Sequence, residues 1–470
     1  MTSHDGVQLP LASVRAKWVL TTAILGSGIA FLDGTVVNVA LPSIGTDLGG
    51  GIAIQQWTID GYLLTLSALL LAGGVAGDRY GRRRVFLIGL VAFTLASVAC
   101  ALAPTGGVLI AARITQGVGA AALVPGSLAL INSLITQADR GKAIGVWAGM
   151  SGVTTALGPF LGGWLVDTFS WRWVFWLNVP LAAAAIWITI RHVPETRSAA
   201  VTEGRFDVTG AALSVLGLAG VVYALIEGPA RGWGTGTVAA AVVGVAALVA
   251  FPLVEARTTA PLLPPGLFRS RQFTGANLST FLVYGALGAS MFLLTLQLQQ
   301  TLGYSALAAG AATVPITIIM LLASPSMGTL AGRLGPRLPM SVGPVVAGIG
   351  LTLLAQILPG SGYWLGVFPG VVVFGVGLTI TVTPLTATVL AAVSPDDVGA
   401  ASGVNNAVSR VSGLLAVAVL PAVAGITAGP GEPLGPGFAT AMWICAVLCL
   451  AGGAVSWLTI QNPITSAADR

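Results

Sequence analysis

Long apolar stretches separated by short polar segments run along the whole chain. Each is about 20 residues or longer, which is enough for an α-helix to cross a hydrocarbon core of roughly 30 Å. We predict fourteen spans, at residues 17–40, 53–77, 84–103, 107–135, 142–166, 173–191, 208–227, 236–254, 273–298, 306–331, 338–357, 363–390, 400–424 and 437–460. A membrane β-barrel would instead show alternating segments of about ten residues. The pattern therefore predicts an all-α polytopic membrane protein.

Two longer polar segments divide the spans into groups of six, two and six. They cover residues 191–207, which carry several charges, and 255–271, which contain three prolines. We therefore predict an N-terminal six-helix bundle over 1–195, two linker helices with flanking loops over 196–270, and a C-terminal six-helix bundle over 271–470.

The two six-span groups also show a weak internal repeat. The stretch from Gly74 to Arg83 has a counterpart from Gly328 to Arg337, with Gly332 where the first copy has Asp78. Many secondary carriers are built from such repeats, with the substrate site between the halves near the middle of the membrane.

Composition and charge support this interpretation. The chain has 470 residues, of which 55% are hydrophobic, and a mean hydropathy of +0.90; a soluble protein of this size cannot hide so much apolar surface. With the N-terminus inside, seventeen of the 21 lysines and arginines lie on inner segments, and only Arg172 and Arg231 lie on outer ones. This asymmetry predicts that both termini are cytoplasmic. Since it also explains the net charge of +5, we expect no nucleic-acid partner.

Catalytic chemistry has little support in the sequence. The two histidines, His4 and His192, lie in predicted cytoplasmic segments, so we expect no buried histidine triad or metal cluster. A phosphate-binding G-x-x-x-x-G-K-[ST] loop is missing, so ATP is not the expected energy source. We expect neither an enzyme nor a cofactor.

The densest charge lies between the second and third spans, in a protein with only 8% charged residues. The candidate residues of this tract are Gly74, Asp78, Arg79, Gly81, Arg82 and Arg83. Glycines allow a close turn, the acid can face a helix N-terminus, and the arginines can face phosphates and water. A basic loop that only sets topology explains the charge equally well. The ordered pattern G-x-x-x-D-R-x-G-R-R favours a gating role.

Three ionisable residues lie inside spans of the first group. Asp33 lies in span 1, where a charged carboxylate costs about 3 kcal/mol. A proton carrier needs such a group, but neighbours or water can also satisfy it. Asp60 in span 2 can share a cavity with Asp33, although simple solvation is an equal alternative. Arg113 in span 4 stays protonated and needs an acid, carbonyls or water beside it, so it either promotes proton release or makes a structural hydrogen bond.

Span 5 combines a proline with closely spaced glycines, namely Gly158, Pro159, Gly162 and Gly163. Small residues allow close helix contact, and proline leaves a carbonyl unpaired. Tight helix packing alone explains the pattern. A carrier whose halves rock against each other needs the same close helix contact, which we call the rocking seam.

Weaker candidates lie elsewhere. No Asp or Glu lies within spans 9 to 14, so charge-based recognition of a cation falls to the first group or to Glu227 at the outer end of span 7. Arg410 and Asn405 in span 13 are buried polar candidates, for which structural bonding is as good an explanation as function.

Together these motifs resemble the fourteen-span drug:proton antiporters of the major facilitator superfamily. The first-helix motif is similar to residues 32–42, and the loop motif is similar to residues 74–84, with Ala76 where leucine is usual. The fourth-helix motif is matched by Arg113, Gln116, Gly117 and Gly119. The antiporter motif is matched by the glycines and proline of span 5, with Thr154 where a glycine often stands. Residues 171–180 and 227–233 also look typical of this family.

The resemblance implies a major facilitator fold and alternating access. Proton influx would drive efflux of a small lipophilic drug or antibiotic, and cationic drugs are among the expected substrates. It makes Asp33 the leading proton or cation site, Arg113 its coupling partner, span 5 the rocking seam and Asp78 a gate residue. We further expect a bacterial plasma membrane location and a functional monomer.

Two alternatives stay open. A dedicated exporter of an endogenous metabolite or a self-made antibiotic would carry the same motifs. A non-transporting membrane receptor would need a cytoplasmic domain or a long structured loop, and the sequence predicts neither.

Overall fold

The computed structural model describes residues 8–197, 207–258, 261–394, 397–427, 429 and 431–462. Within these ranges the chain is helical and forms no strand beyond one isolated bridge between Leu9 and Ile135. The first nine helices are α1 (Val14–Leu48), α2 (Gly51–Tyr80), α3 (Arg82–Ala101), α4 (Gly106–Leu134), α5 (Gln137–Thr168), α6 (Trp173–Trp176), α7 (Asn178–His192), α8 (Val208–Arg231) and α9 (Thr235–Glu255). They are followed by α10 (Arg271–Leu296), α11 (Ala306–Leu334), α12 (Arg337–Leu354), α13 (Phe368–Ala391), α14 (Val398–Val423) and α15 (Gly437–Thr459).

Fourteen segments of the described chain are long and apolar enough to cross a membrane, in the predicted order. α6 and α7 together make the sixth, Trp173–His192. Short π-helical turns extend the ninth at Gln297–Thr301 and begin the twelfth at Tyr363–Val367.

Several stretches that were expected to lie outside spans are helical. The longest is residues 41–48, because α1 continues past Pro42 to Leu48 and ends at Gly49, which has φ of +72°. α2 continues to Tyr80, beyond the predicted end at residue 77, because Gly81 is the first residue to leave the helical conformation, with φ of +109°. α5 begins at Gln137 rather than at 142. Its first turn is held by Asp139, whose carboxylate accepts a hydrogen bond from the Leu11 backbone N–H at 2.9 Å.

The chain divides into two compact units. The first contains Met1–Leu263 with the short segments Ser305–Gly310 and Gly429–Gly431, and the second contains the remaining residues. In the first unit, α4 packs against α2 and α3, and α1 packs against α5. In the second, α12 packs against α13 and α15, and α10 packs against α14 and α15. The first turn of α11 therefore belongs to the first unit, whereas its later turns belong to the second.

The linker helices α8 and α9, which we call the linker hairpin, belong to the first unit and are fastened along α2. Near the middle of α8, the Ser214 hydroxyl donates to the Ala68 carbonyl at 3.0 Å. At one end of the hairpin, Ala211 and Leu262 form an apolar cluster with Ala72 of α2. The hairpin is thus a part of the first unit that contacts the helix bearing Asp60.

A sharp corner joins α2 to α3 within the first unit. Gly81 makes the turn, and a Cβ atom there would lie 2.8 Å from the Glu195 carboxylate. That carboxylate accepts hydrogen bonds from the backbone N–H groups of Arg83 and Arg84, both at 3.1 Å, and so caps α3. The Arg83 guanidinium donates to the Ile190 carbonyl of α7 at 2.7 Å.

The second unit builds the same corner between α11 and α12. Gly335 has φ of +80°, and a Cβ atom there would overlap the Asn462 side chain. Asn462 Oδ1 accepts from the Arg337 backbone N–H at 3.1 Å, and the Arg337 side chain donates to the Trp457 carbonyl of α15 at 2.9 Å. In each six-span group, a residue just after the last span therefore caps the third span of that group: Glu195 caps α3, and Asn462 caps α12.

Candidate functional site

A buried ion pair joins α1 to α4. Nη1 of Arg113 lies 2.5 Å from Oδ2 of Asp33, and the two side chains are 1% and 0% exposed. The Arg113 Nε–H donates to the Thr58 carbonyl of α2 at 2.8 Å. Its guanidinium also lies over the Tyr62 ring, with Cζ 4.4 Å from the ring centroid. One arginine therefore holds three helices of the first unit together.

Neutral polar side chains complete the coordination of Asp33. Its Oδ1 accepts from Gln116 Nε2 at 3.0 Å and from Asn178 Nδ2 at 2.8 Å. Gln116 and Asn178 both also donate to Ser97 Oγ, at 2.7 and 3.3 Å. Both carboxylate oxygens of Asp33 thus receive donors, as a buried charge requires.

Asn178 and Ser97 were not predicted as site residues. Each is an uncharged polar residue within a long apolar span. Asn178 was noticed only as part of a motif, because uncharged polar residues are common enough in membrane helices to carry little information alone.

Asp60 is not hydrogen-bonded to this network. Its side chain is 0% exposed, and neither carboxylate oxygen has a hydrogen-bond partner. It lies in α2 two residues after Thr58, whose carbonyl binds Arg113. The first unit therefore contains one buried acid with complete polar coordination and another with none.

The charged tract is a helix end and corner rather than an open loop. Gly74, Asp78 and Arg79 lie within α2, and Gly81 is the one residue between α2 and α3. Asp78 Oδ1 pairs with the Arg82 guanidinium across the corner, at 2.7 Å from Nη2. The side chains are part-exposed, so this pair contributes little to stability.

The span 5 glycines place α5 in close contact with α1. A Cβ atom on Gly158 would overlap the Thr35 side chain, and one on Gly162 would overlap Val36. The predicted seam is therefore a real close approach between these two helices, which any larger residue would separate.

The opposite side of the same helix meets the first turn of α11. Cβ atoms on Gly163 and Gly310 would overlap backbone atoms of the partner segment, at Ala306 and at Pro159 respectively. One turn further along, the Asp167 carboxylate accepts from the backbone N–H groups of Ala306 and Leu307, at 3.0 and 2.8 Å. Asp167 thereby caps the start of α11, where the helix dipole favours a negative charge. Asp167 was not predicted as a site residue, because an acid at a span end is usually solvated.

Glu227 belongs to a different hydrogen-bonded group from Asp33. It is 7% exposed, accepts from the Trp57 indole N–H at 2.8 Å and pairs with Arg231 at 2.8 Å. It therefore joins the linker hairpin to the first turns of α2.

Asn405 and Arg410 lie in α14 of the second unit. Asn405 Nδ2 donates to Asn277 Oδ1 at 3.1 Å and to Thr280 Oγ1 at 2.9 Å, both in α10. Arg410 Nε donates to Asn406 Oδ1 at 2.9 Å. These bonds fit the structural explanation for both residues. Among the described residues, no group of three or more His, Cys, Asp and Glu side chains is placed to hold a metal ion.

Comparison with known proteins decides the family. The Major Facilitator Superfamily profile matches residues 23–417 and 276–469. The chain belongs to the Major Facilitator Superfamily. This major facilitator has the predicted fold class, with two six-helix bundles and two additional central helices, and it is a transporter rather than an enzyme.

Relatives of this major facilitator align over nearly its full length. It is 37% identical over 475 residues to the puromycin resistance protein pur8 of Streptomyces alboniger, covering 97% of this chain and 93% of the relative. It is 34% identical over 478 residues to the cephamycin export protein CmcT of Amycolatopsis lactamdurans, covering 100% and 97%. Its fold is similar to that of a POT family transporter solved with a thioalcohol-conjugated peptide, with a TM-score of 0.73 at 13% identity over 96% of this chain and 97% of that one.

Proposed function

We propose that this transporter exports an antibiotic or another small lipophilic drug across a bacterial plasma membrane in exchange for protons. The relatives named for puromycin resistance and cephamycin export support the class of cargo. One observation carries the coupling: Arg113 is bound by Asp33 and by α2, while Asp60 on α2 has no polar partner.

The two acids hold different charge states in this arrangement. Asp33 is ionised, because it receives an arginine and two amide donors. Asp60 is neutral, because an ionised carboxylate buried without a donor would cost several kcal/mol. We therefore assign the transported proton to Asp60 in this state, whereas the motif resemblance pointed first to Asp33.

Arg113 links the two acids. Its guanidinium binds Asp33 on α1 and the Thr58 carbonyl on α2, two residues before Asp60. A proton that reaches Asp33 removes the anion that Arg113 faces, so the arginine must find another acceptor. Loading and release of a proton would in this way change how α1, α2 and α4 are held together.

A cationic cargo fits the same site. Helices α10 to α15 contain no Asp or Glu, and Asp33 is neutralised by Arg113. Asp60 is then the acid whose charge appears when its proton leaves. We propose that a cationic drug and a proton compete for it, which makes binding of one release the other.

The contact between α5 and the first turn of α11 is the proposed element of alternating access. The later turns of α11 belong to the second unit, so movement of that unit would act on this contact. We propose that Asp167 holds the start of α11 in one state and releases it in the other. We propose that the tract around Asp78 gates at the cytoplasmic end, since the distribution of basic residues favours cytoplasmic termini.

The test uses purified protein in liposomes with an imposed proton gradient and a panel of cationic and neutral antibiotics. We expect the wild type to move at least one cationic compound against its concentration gradient. Asp60→Asn should lose this movement, because it has no carboxylate to bind a cation or a proton, while it still exchanges neutral compounds. Absence of gradient-driven movement in the wild type, or wild-type rates in both Asp60→Asn and Asp33→Asn, would overturn the proposal.

A dedicated exporter is the second candidate. It is favoured by the full-length match to a relative named for export of a single antibiotic class, the cephamycins. A strain lacking this protein would then lose resistance to, or secretion of, one compound. Loss of resistance to many unrelated drugs would instead indicate a broad-range exporter.

A further inference from the structure

Two acids at one end of the linker hairpin have no role in the transport scheme. Asp207 is the N-cap of α8, and Glu255 is the last residue of α9. They are 8% and 1% exposed, so both are more than nine-tenths buried. Buried acids without a cation beside them need a proton or another positive charge.

Each of these acids uses one oxygen to hold the backbone. Asp207 Oδ1 accepts from the Gly210 N–H at 2.8 Å, and Glu255 Oε2 accepts from the Leu263 N–H at 2.9 Å. The remaining oxygens, Asp207 Oδ2 and Glu255 Oε1, have no hydrogen-bond partner.

These two free oxygens meet at the same point. A Cβ atom on Gly210 would overlap both of them, so both lie against the Cα of this glycine. The two carboxyl groups are within hydrogen-bonding reach of each other. Both are acceptors when ionised, so the space between them needs a donor.

No described cation serves as that donor. Among the described residues, no lysine or arginine forms an ion pair with Asp207 or Glu255. Arg257 is exposed, and α2 presents the apolar residues Leu71, Ala72 and Val75 to this end of the hairpin. Arg205 lies outside the described residues.

We propose that Asp207 and Glu255 form a second proton-binding site, in which one proton is shared between Asp207 Oδ2 and Glu255 Oε1. The shared proton holds the start of α8, the end of α9 and the connector at Leu263 together. Loss of this proton leaves two facing negative charges, which separates the three segments. The apolar cluster at this end of the hairpin packs against Leu71 and against Val75, the second residue of the charged tract of α2, so we expect the packing of that tract to depend on pH.

The first test is infrared spectroscopy of the purified full-length protein across a pH titration. Besides the band of neutral Asp60, which Asp60→Asn identifies, we expect a second carboxylic acid C=O band at neutral pH that is lost in Glu255→Gln and in Asp207→Asn. Each amide supplies an N–H in place of the shared proton, so both variants should fold. Glu227→Gln, at the other end of α8, is the matched control and should keep the band, because Arg231 already neutralises Glu227.

The second test follows the unfolding temperature against pH. Wild-type stability should fall as the pH rises through the loss of the shared proton, because the repulsion exists only in the folded pair. Glu255→Gln and Asp207→Asn should lack this fall, whereas Glu227→Gln should keep it. Unchanged bands and pH profiles in both pair variants would overturn the proposal.

Two further results would also overturn the proposal, because each would show that a different positive charge lies between Asp207 and Glu255. Stabilisation by Na⁺ at alkaline pH that disappears in Glu255→Gln would replace the proton with a metal cation. A C=O band and an alkaline fall in stability that are absent from the wild type and appear in Arg205→Gln would assign the missing donor to Arg205. Neither result would touch the transport proposal, which rests on Asp33, Asp60 and Arg113.

Discussion

Arg113 and Asp33 form a fully buried ion pair, with 2.5 Å between Nη1 and Oδ2. The same guanidinium reaches the Thr58 carbonyl, so the pair fixes α2 as well as α1 and α4. A change of charge at Asp33 therefore changes the packing of three helices rather than of one side chain.

Breaking this pair from either side should destabilise the protein. Arg113→Gln or Asp33→Asn leaves one buried charge unpaired, at a cost of about 3–5 kcal/mol. The double variant removes both charges and should recover most of that loss, because a buried pair contributes little net stability. Thermal unfolding of the four proteins in one detergent measures this cycle. Equal losses that simply add in the double variant would contradict a direct pair.

A transport assay of the double variant distinguishes a structural role of the Arg113–Asp33 pair from a role in proton coupling. The double variant should fold but fail to couple cargo to protons, because Arg113 no longer connects Asp33 to α2, which carries Asp60. Proton-driven transport at the wild-type rate in the double variant would mean that the pair is purely structural.

Asp60→Asn should behave differently. The amide replaces an acid that is already neutral in this state, so the unfolding temperature should stay close to that of the wild type. Gradient-driven transport should be lost, since asparagine takes up no proton. Comparison of gradient-driven transport with cargo exchange in the same liposomes checks this. A large loss of stability would show that Asp60 is ionised and held by a donor.

Gly163→Ala should weaken the contact between α5 and the start of α11. Its Cβ atom would overlap backbone atoms of Ala306 and Leu307, and overpacking of this kind costs about 1–3 kcal/mol. Gly152→Ala is the matched control, because a Cβ at Gly152 in the same helix meets nothing within 4 Å. Transport rates and unfolding temperatures of the two variants should diverge. Equal behaviour would remove the argument for a close contact at Gly163.

Gly81→Ala should strain the corner between α2 and α3. Its φ of +109° is unfavourable for alanine, and the Cβ would press on the Glu195 carboxylate, for a cost of about 1–3 kcal/mol. Gly77→Ala, one turn earlier in α2, would have 4.0 Å between its Cβ and the Cα of Arg82, and it should be neutral or stabilising. Thermal unfolding again gives the comparison, and a neutral Gly81→Ala would show that the corner adapts.

Much of the fold was predictable because a membrane span has a strong sequence signal. Apolar length gave all fourteen spans in order, since a helix must cross a hydrocarbon core of fixed thickness. Helix ends were less predictable. The polar residues 78–80 stay helical because the backbone conformation of Gly81, not the polarity before it, ends α2.

The site was predictable residue by residue but not as an arrangement. Asp33 and Arg113 were identifiable because charges are rare and costly within a span. That Arg113 binds Asp33 and not Asp60 depends on how α1, α2 and α4 rotate against each other. That rotation is set by close contacts such as those at Gly73 and Gly117, which no local pattern specifies.

The matching corners at Gly81 and Gly335 suit a chain that arose by duplication of a half-length ancestor. Each copy keeps the glycine at the turn and an arginine that donates to a carbonyl of the sixth span. Each also keeps a polar side chain, just after that span, that caps the third span. The copies have diverged where one has Asp78 and the other Gly332. Inheritance accounts for the shared scaffold of both corners, and specialisation after the duplication accounts for the single acid.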